Sequence, residues 1–285
     1  MNYNISIIGT GLMGYPMAKN ISKKFNLKSF NRTFERMKGL EKCNVKLCKS
    51  LKEVCRNSNI IISMLPGDDE VLETVRNALN FIQHGSTFID MSSTKISTAN
   101  LCYNILGKVK VNFIDAPVSG GPEGAETASL AIMAGGNADV YLNVKEVLQT
   151  MGTPTLVGPN GCGQVAKLCN QIIVGVTIGA VAEAITLCEE NDADPNKFLN
   201  AVNGGFADSK ILRNHGQRMI NKDFFARGKC STHLKDMDNI IECAKKKGLK
   251  LPISNLIQNM FQNLCKKGFG DDDHCSLYKE ISNKK

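Results

Sequence analysis

Short apolar runs punctuate the first half of the chain at regular intervals. Ile5–Ile8, Leu27–Phe30, Ile60–Leu65, Thr87–Met91, Val111–Ile114 and Leu130–Ala134 are each too short for a helix, and each is closed by Gly, Pro or a small polar residue. Between them lie longer stretches with helical spacing, such as Pro16–Phe25. Strands that alternate with helical segments predict βαβ units and a mostly parallel sheet. The pattern changes after the glycine-rich hinge Gly158-Pro159-Asn160-Gly161-Cys162-Gly163. A long helical pattern runs from about Gln164 to Glu190, and Pro195–Val202, Ser209–Met219, His233–Lys247 and Pro252–Lys267 continue in helix and loop. The expected fold class is α/β: an N-terminal Rossmann domain with a doubly wound, mostly parallel sheet over residues 1–160, plus an all-α C-terminal domain over residues 161–285.

Composition narrows the class. The chain has 285 residues, 42% of them hydrophobic, enough to bury a large core without disulfides or metal. Its 11 cysteines are odd in number and include no Cys-x-x-Cys pair, which points to reduced thiols and a cytoplasmic setting. No metal-ligand spacing of Cys and His stands out, so no metal is expected. His84, His215 and His274 have no partner pattern and are read as structural. The formal charge of +8 lies mostly in short runs, Lys245-Lys246-Lys247, Lys266-Lys267 and Lys284-Lys285, of the kind found at solvated helix ends. No basic stripe with stacking aromatics suggests nucleic acid. Met1-Asn2-Tyr3-Asn4 runs straight into the first apolar strand pattern, so neither a signal peptide nor an Arg-rich presequence is expected. The uncharged run between Lys167 and Glu183 is 15 residues, which reads as a buried helix rather than a membrane span.

The candidate chemistry begins at Gly9-Thr10-Gly11-Leu12-Met13-Gly14, between the first strand and the first helix. In that context the three glycines suit a dinucleotide: one for the turn, one for approach of the pyrophosphate, one for helix–strand packing. The helix N-terminus then offers free N–H groups to phosphate. At the end of the second strand an NAD site usually carries an acidic residue for the ribose hydroxyls. Here the sequence reads Asn31-Arg32-Thr33, with no carboxylate to repel a 2′-phosphate and an arginine to pair with one. NADP(H) is therefore the preferred cofactor, with NAD(H) possible. Met64, Leu65 and Pro66 end the third strand on the same edge, and Ser92-Ser93-Thr94 follows the next; both are placed at the cofactor.

Asp115-Ala116-Pro117-Val118-Ser119-Gly120-Gly121 follows another strand. Ser119, Gly120 and Gly121 can present successive amides to a substrate carboxylate, or form a plain turn. Lys167 stands at the start of the long apolar helix, with Asn170 and Gln171 three and four positions on and so on one face. Burial there would bring the ammonium toward a working pKa as proton donor and acceptor; the plain alternative is a lysine reaching out to solvent. Lys235, in His233-Leu234-Lys235-Asp236, reads from composition as a surface residue. Gly175, Gly179 and Ala182 are spaced for close helix packing.

With these residues in view, the sequence resembles the β-hydroxyacid dehydrogenase family, a group that includes 3-hydroxyisobutyrate dehydrogenase, tartronate semialdehyde reductase and glyoxylate/succinic semialdehyde reductase. The likeness covers nearly the whole chain. It is carried by Gly9–Asn20, Asp115–Gly121 with Leu130–Gly136, Gly161–Gln171, Gly204–Leu212, His233–Asp236 and Gly270–Leu277. The resemblance implies a catalytic lysine at Lys167, a substrate loop at Ser119, Gly120 and Gly121, a supporting amide at Asn170 or Gln171, and a second lysine near cofactor and substrate at Lys235. It also implies pairing of the helical domains, as a homodimer or homotetramer. Two departures are Ala128-Ser129, where Gly-Thr is common, and Cys275, where Ser is common.

Together these readings predict an NADP(H)-dependent oxidoreductase. It would interconvert a small 3-hydroxy acid, or a four-carbon analogue, and its semialdehyde by direct hydride transfer. The expected partner is a small carboxylate substrate, with neither nucleic acid nor membrane. The alternatives are a catalytically silent dinucleotide-binding protein and a dehydrogenase of the same fold with an unrelated substrate.

Overall fold

The computed structural model describes residues 3–282, so Lys284-Lys285 lies outside the described residues. The chain divides into two compact units, one ending at Lys167 and the other starting at Leu168.

The first unit runs β1 (Asn4–Ile8), α1 (Gly14–Ser22), β2 (Asn26–Phe30), β3 (Val45–Leu47), α2 (Leu51–Cys55), β4 (Ile60–Ser63), α3 (Asp68–Ala78), β5 (Thr87–Asp90), α4 (Ile96–Lys108), β6 (Asn112–Asp115), β7 (Val118–Ser119), α5 (Gly121–Glu126), β8 (Leu130–Gly136), α6 (Ala138–Leu148) and β9 (Gly152–Gly158). One sheet holds them in the order β3-β2-β1-β4-β5-β6-β8-β7, with β9 on β8. The first six are parallel; β8 pairs antiparallel with β6 and β7, and parallel with β9. Consecutive residues of the central strands enter opposite cores: Ile60 and Ile62 one, Ile61 the other, as with Ile89 and Phe88, and Ile114 and Phe113. A strand covered on both faces is apolar along its middle, which is why these strands read as near-continuous apolar runs with polar residues at their ends. β3, β7 and β9 escape the sequence pattern. The first two are very short, and β9 carries Pro154 between glycine ends.

The second unit opens within α7 (Cys162–Glu190) and continues through α8 (Pro195–Val202), α9 (Lys210–Ile220), α10 (Cys230–Lys246), α11 (Pro252–Leu264) and α12 (Tyr278–Ile281). Helix starts follow capping chemistry. Asp194 accepts from the amides of Asn196 and Lys197, and Ser209 from that of Leu212. Gly175 and Gly179 let α7 meet its neighbours closely: an added Cβ would lie 2.6 Å from His233 Nε2 and 2.6 Å from Ile257 Cδ1, respectively. The expectation of a buried α7 needs correction. The helix has 29 residues and by length and composition alone could cross a membrane, yet only 33% of its most apolar window is buried within the chain. The glycine-bearing side is packed, while Cys169, Ile173 and Leu187 stay exposed.

Histidines without a sequence partner find one here. The Nε2 atoms of His215 and His274 lie 2.8 Å apart. With Asp273 they have the spacing of a metal-ion site. Asp273, however, already accepts from the amides of Arg227, Gly228 and Cys275 and from Arg218 Nη1 at 2.9 Å. Four donors fill a carboxylate's acceptor positions, so the trio is read as a structural cluster.

Burial, followed by the charge of His274, pulls His215 from its ordinary 6.5 down to about 4. The folded state keeps this ring neutral, while the unfolded chain takes up a proton below 6.5. Its contribution to stability is therefore complete above pH 6.5 and is lost as pH falls toward 4, by at most about 3 kcal/mol. Melting followed by circular dichroism should show the midpoint drop across that window, and His215→Phe should flatten the drop. A second prediction concerns Ala128, whose φ is +55°. Only glycine takes that conformation without a steric cost, so Ala128→Gly should stabilise the fold by about 0.5–1 kcal/mol. A lower melting temperature in that variant would contradict this reading.

Candidate active site

The turn between β1 and α1 is fixed by two close approaches. Gly9 has φ +94°, and an added Cβ would lie 2.3 Å from the carbonyl oxygen of Met64. A Cβ on Gly14 would lie 1.9 Å from the carbonyl of Gly9. Gly11 differs from both: a Cβ there meets nothing within 4 Å. The outer two glycines thus serve backbone packing, and the middle one leaves the backbone open to approach, as a pyrophosphate cradle requires. Thr10 Oγ1 and Thr94 Oγ1 are buried hydroxyls without a hydrogen-bond partner among the described residues, which suits a ligand that would supply one. Residues and cofactor class fit.

Neighbouring strand ends complete this edge. Asn31 Oδ1 accepts from the amide of Thr10 at 3.0 Å, and Asn31 Nδ2 donates to the carbonyl of Thr33 at 2.9 Å. Its carboxamide therefore shapes the turn. Arg32 and Thr33 are exposed, and Arg32 has no ion pair among the described residues. Leu12, at 68% exposure, is an apolar side chain left uncovered beside the cradle. Met13, Met64 and Leu65 are half-buried around it and Pro66 is exposed.

Beneath these loops lies a dry polar layer. Asp90 and Asp115 are paired in register on β5 and β6, and both are fully buried. Asp90 Oδ1 accepts from Ser63 Oγ at 2.8 Å and Ser92 Oγ at 2.6 Å. Ser92 Oγ in turn accepts from the amide of Leu65 at 2.9 Å. Asp115 accepts from the amides of Gly161 (2.7 Å) and Gln164 (3.0 Å) at the start of α7. Burial pushes the Asp90 carboxyl up to about 6 against the pull of its serine hydrogen bonds, and the charge of Asp115 adds to the rise. Burial raises Asp115 as well, opposed by the amides it receives.

Lys167 stands one turn into α7. Its Nζ donates to the carbonyl of Val118 at 2.9 Å, which brings the ammonium to the Val118–Gly121 loop. Ser119 is half-buried there, and Gly120 and Gly121 are exposed with φ of +138° and +62°. In the second unit, Asn170 Nδ2 donates to Gln171 Oε1 at 2.8 Å, and Gln171 Nε2 donates to Asp236 Oδ2 at 2.7 Å. The Gln171 amide therefore faces a buried carboxylate, Asp236, that no spacing in the sequence marks as its partner. Lys235 is half-buried on α10. Asp90, Gln164 and Asp236 were not legible as site residues. Asp90 and Gln164 reach partners that are distant in sequence, 27 positions away for Ser63 and 72 for Ser92, as does Asp236, 65 positions from Gln171.

The glycines make a separable prediction. Gly11→Ala should melt with the parent, since its Cβ has room, yet bind dinucleotide at least about tenfold more weakly. Gly14→Ala should lose stability outright. Fluorescence titration with NADPH alongside thermal melts checks both, and undiminished binding by Gly11→Ala would remove the cradle assignment.

Comparison with known proteins agrees with this architecture. Residues 4–173 match the family described as the NAD binding domain of 6-phosphogluconate dehydrogenase. Residues 161–281 match the one described as NAD-binding of NADP-dependent 3-hydroxyisobutyrate dehydrogenase. The chain is 34% identical to a 2-hydroxy-3-oxopropionate reductase of Escherichia coli, over 97% of this chain and 96% of that protein. Among solved structures it resembles a Mycobacterium tuberculosis 3-hydroxyisobutyrate dehydrogenase with L-serine, at TM-score 0.89 and 23% identity, covering 99% of each chain. It also resembles Psf3 in complex with NADP+ and 2-OPP, at TM-score 0.87 and 18% identity, over 98% of this chain and 100% of that one. With a nicotinamide dinucleotide as its cofactor, the chain belongs to the β-hydroxyacid dehydrogenase family of NAD(P)-dependent oxidoreductases.

Proposed function

We propose that the protein is a cytoplasmic, NADP(H)-preferring reductase. It interconverts a small 3-hydroxy acid, or a four-carbon analogue, and its semialdehyde, with Lys167 as general acid and base. The observation that carries this reading is the hydrogen bond from Lys167 Nζ to the Val118 carbonyl, which tethers the proton carrier to the loop proposed to hold the substrate. Similarity to a 2-hydroxy-3-oxopropionate reductase supports the substrate class.

When bound, the nicotinamide supplies or accepts the hydride. The chain does the rest. Ser119 and the amides of Gly120 and Gly121 bind the substrate carboxylate and so orient the reacting carbon. In reduction Lys167 donates a proton to the oxygen that gains negative charge; in oxidation the neutral amine removes it. Asn170 and Gln171 support that oxygen, and Lys235 serves cofactor and substrate. Preference for NADP(H) rests on Arg32, exposed at the end of β2 where no carboxylate stands, with Asn31 holding the turn and Thr33 beside it.

The exposed ridge of α7 supports assembly into a homodimer or homotetramer. Ile173 and Leu187 expose 65% and 67% of their surface, and a second copy would cover them.

The test is NADPH oxidation followed by nicotinamide absorbance with succinic semialdehyde, glyoxylate, tartronate semialdehyde and methylmalonate semialdehyde, repeated with NADH. Turnover on at least one, faster with NADPH, is expected. Arg32→Ala should erase most of the NADPH advantage, and Lys167→Ala should lower kcat by about 100-fold or more while NADPH still binds. Lys167→Ala turnover within a few-fold of the parent would end the acid/base assignment.

A further inference from the structure

The first turn of α7 is held by a side chain that the proposed chemistry does not use. Gln164 is 1% exposed. Its Oε1 accepts from the amide of Thr94 at 3.1 Å, and its Nε2 donates to the carbonyl of Ser92 at 2.9 Å. One carboxamide therefore closes both ends of a backbone pair, as a neighbouring strand would. Gln and Asn offer donor and acceptor together in this way without needing a bound proton, and Asn is one methylene shorter. The backbone beneath is equally constrained. The Gln164 amide donates to Asp115, and a Cβ on Gly163 would lie 2.5 Å from each of the Asp115 and Met133 carbonyls. The turn cannot slide against the sheet.

This carboxamide stands between two features of the site. On one side is Ser92, whose hydroxyl joins Asp90 to the amide of Leu65 in the loop after β4. On the other is Lys167, three residues along the helix and so on the same side as Gln164. We propose that Gln164 is the positioning residue of the acid/base. By tying the start of α7 to Ser92 and Thr94, it sets where Lys167 stands against the loop assigned to the cofactor. This inference rests on the assignment of Lys167 made above.

The geometry yields a pH-dependent signature. Replacement by methionine matches the volume but removes donor and acceptor. Replacement by glutamate keeps the acceptor and regains the donor only when its carboxyl is protonated. The titratable groups nearest in this network are Asp90, which accepts from the Ser92 hydroxyl, Asp115, which accepts from the backbone amide of Gln164, and Lys167, three residues along the helix.

The experiment compares steady-state reduction by parent, Gln164→Met, Gln164→Glu and Lys167→Ala between about pH 6 and 9, with thermal melts of each. Gln164→Met should lower kcat by about 10- to 100-fold, the size expected of a misplaced catalytic group. Its KM should change less than kcat, and the pH limb that Lys167→Ala removes should shift. Gln164→Glu should regain activity relative to the parent as pH falls. A folded Gln164→Met with kcat within about threefold of the parent and an unmoved limb would overturn the proposal. If Gln164→Met does not fold, a flat ratio of Gln164→Glu to parent across the range overturns it. An active Lys167→Ala overturns the acid/base assignment and this proposal together. An inactive Lys167→Ala with parent-like Gln164 variants overturns this proposal alone.

Discussion

Two carboxylates stand opposite one another at the ends of neighbouring parallel strands, away from water. Asp90 and Asp115 would repel each other if bare, and each is stabilised by donors that belong to the loops above. Asp90 gathers Ser63 and Ser92, and through Ser92 the loop after β4. Asp115 gathers the amides that open α7. The folding of those loops is thereby coupled to satisfying the buried charge. A loop that peeled away would leave a carboxylate short of partners in a low-dielectric site, which costs more than an ordinary lost hydrogen bond.

Above this layer the active edge divides by demand. Where backbone must touch backbone, at Gly9 and Gly14, the residue has no side chain and no room for one. Where a ligand must approach, at Gly11, there is space. The same division appears in the polar groups. Asn31, Ser63 and Gln164 have their side chains turned to the protein, while Thr10 and Thr94 keep hydroxyls that the chain itself does not satisfy. Side chains that hold the loops together and hydroxyls proposed to meet the ligand are thus interleaved along the same loops.

Much of this was legible in the sequence, for reasons that also explain what was not. β1, β4, β5 and β6 appear as apolar runs because both faces are covered, β2 and β8 through their alternate buried apolar positions, and the glycine turn because its spacing is local. β3 and β7, three and two residues long, are too brief to show a period. Gln164 falls inside a quoted motif, yet its role depends on Ser92, 72 positions earlier. The pairing of His215 with His274 spans 59 positions, and that of Gln171 with Asp236 spans 65. Such contacts are created by topology and leave no trace in neighbouring residues. The exposure of α7 is hidden from the sequence for a related reason: an apolar helix reads alike whether its own chain or another surface covers it.

The two margins of the sheet have a consequence for how copies can join. One margin is β3, a strand of three residues; the other is β9, which carries Pro154 and ends in glycines. Pro154 has no amide hydrogen, and its carbonyl already accepts from the Tyr141 hydroxyl at 2.9 Å. Neither margin offers an incoming strand a continuous ladder, so the sheet is blunted against growth from chain to chain. A sheet of nine strands among the described residues is in this way protected from fibrous stacking, in which one chain's edge would template the next.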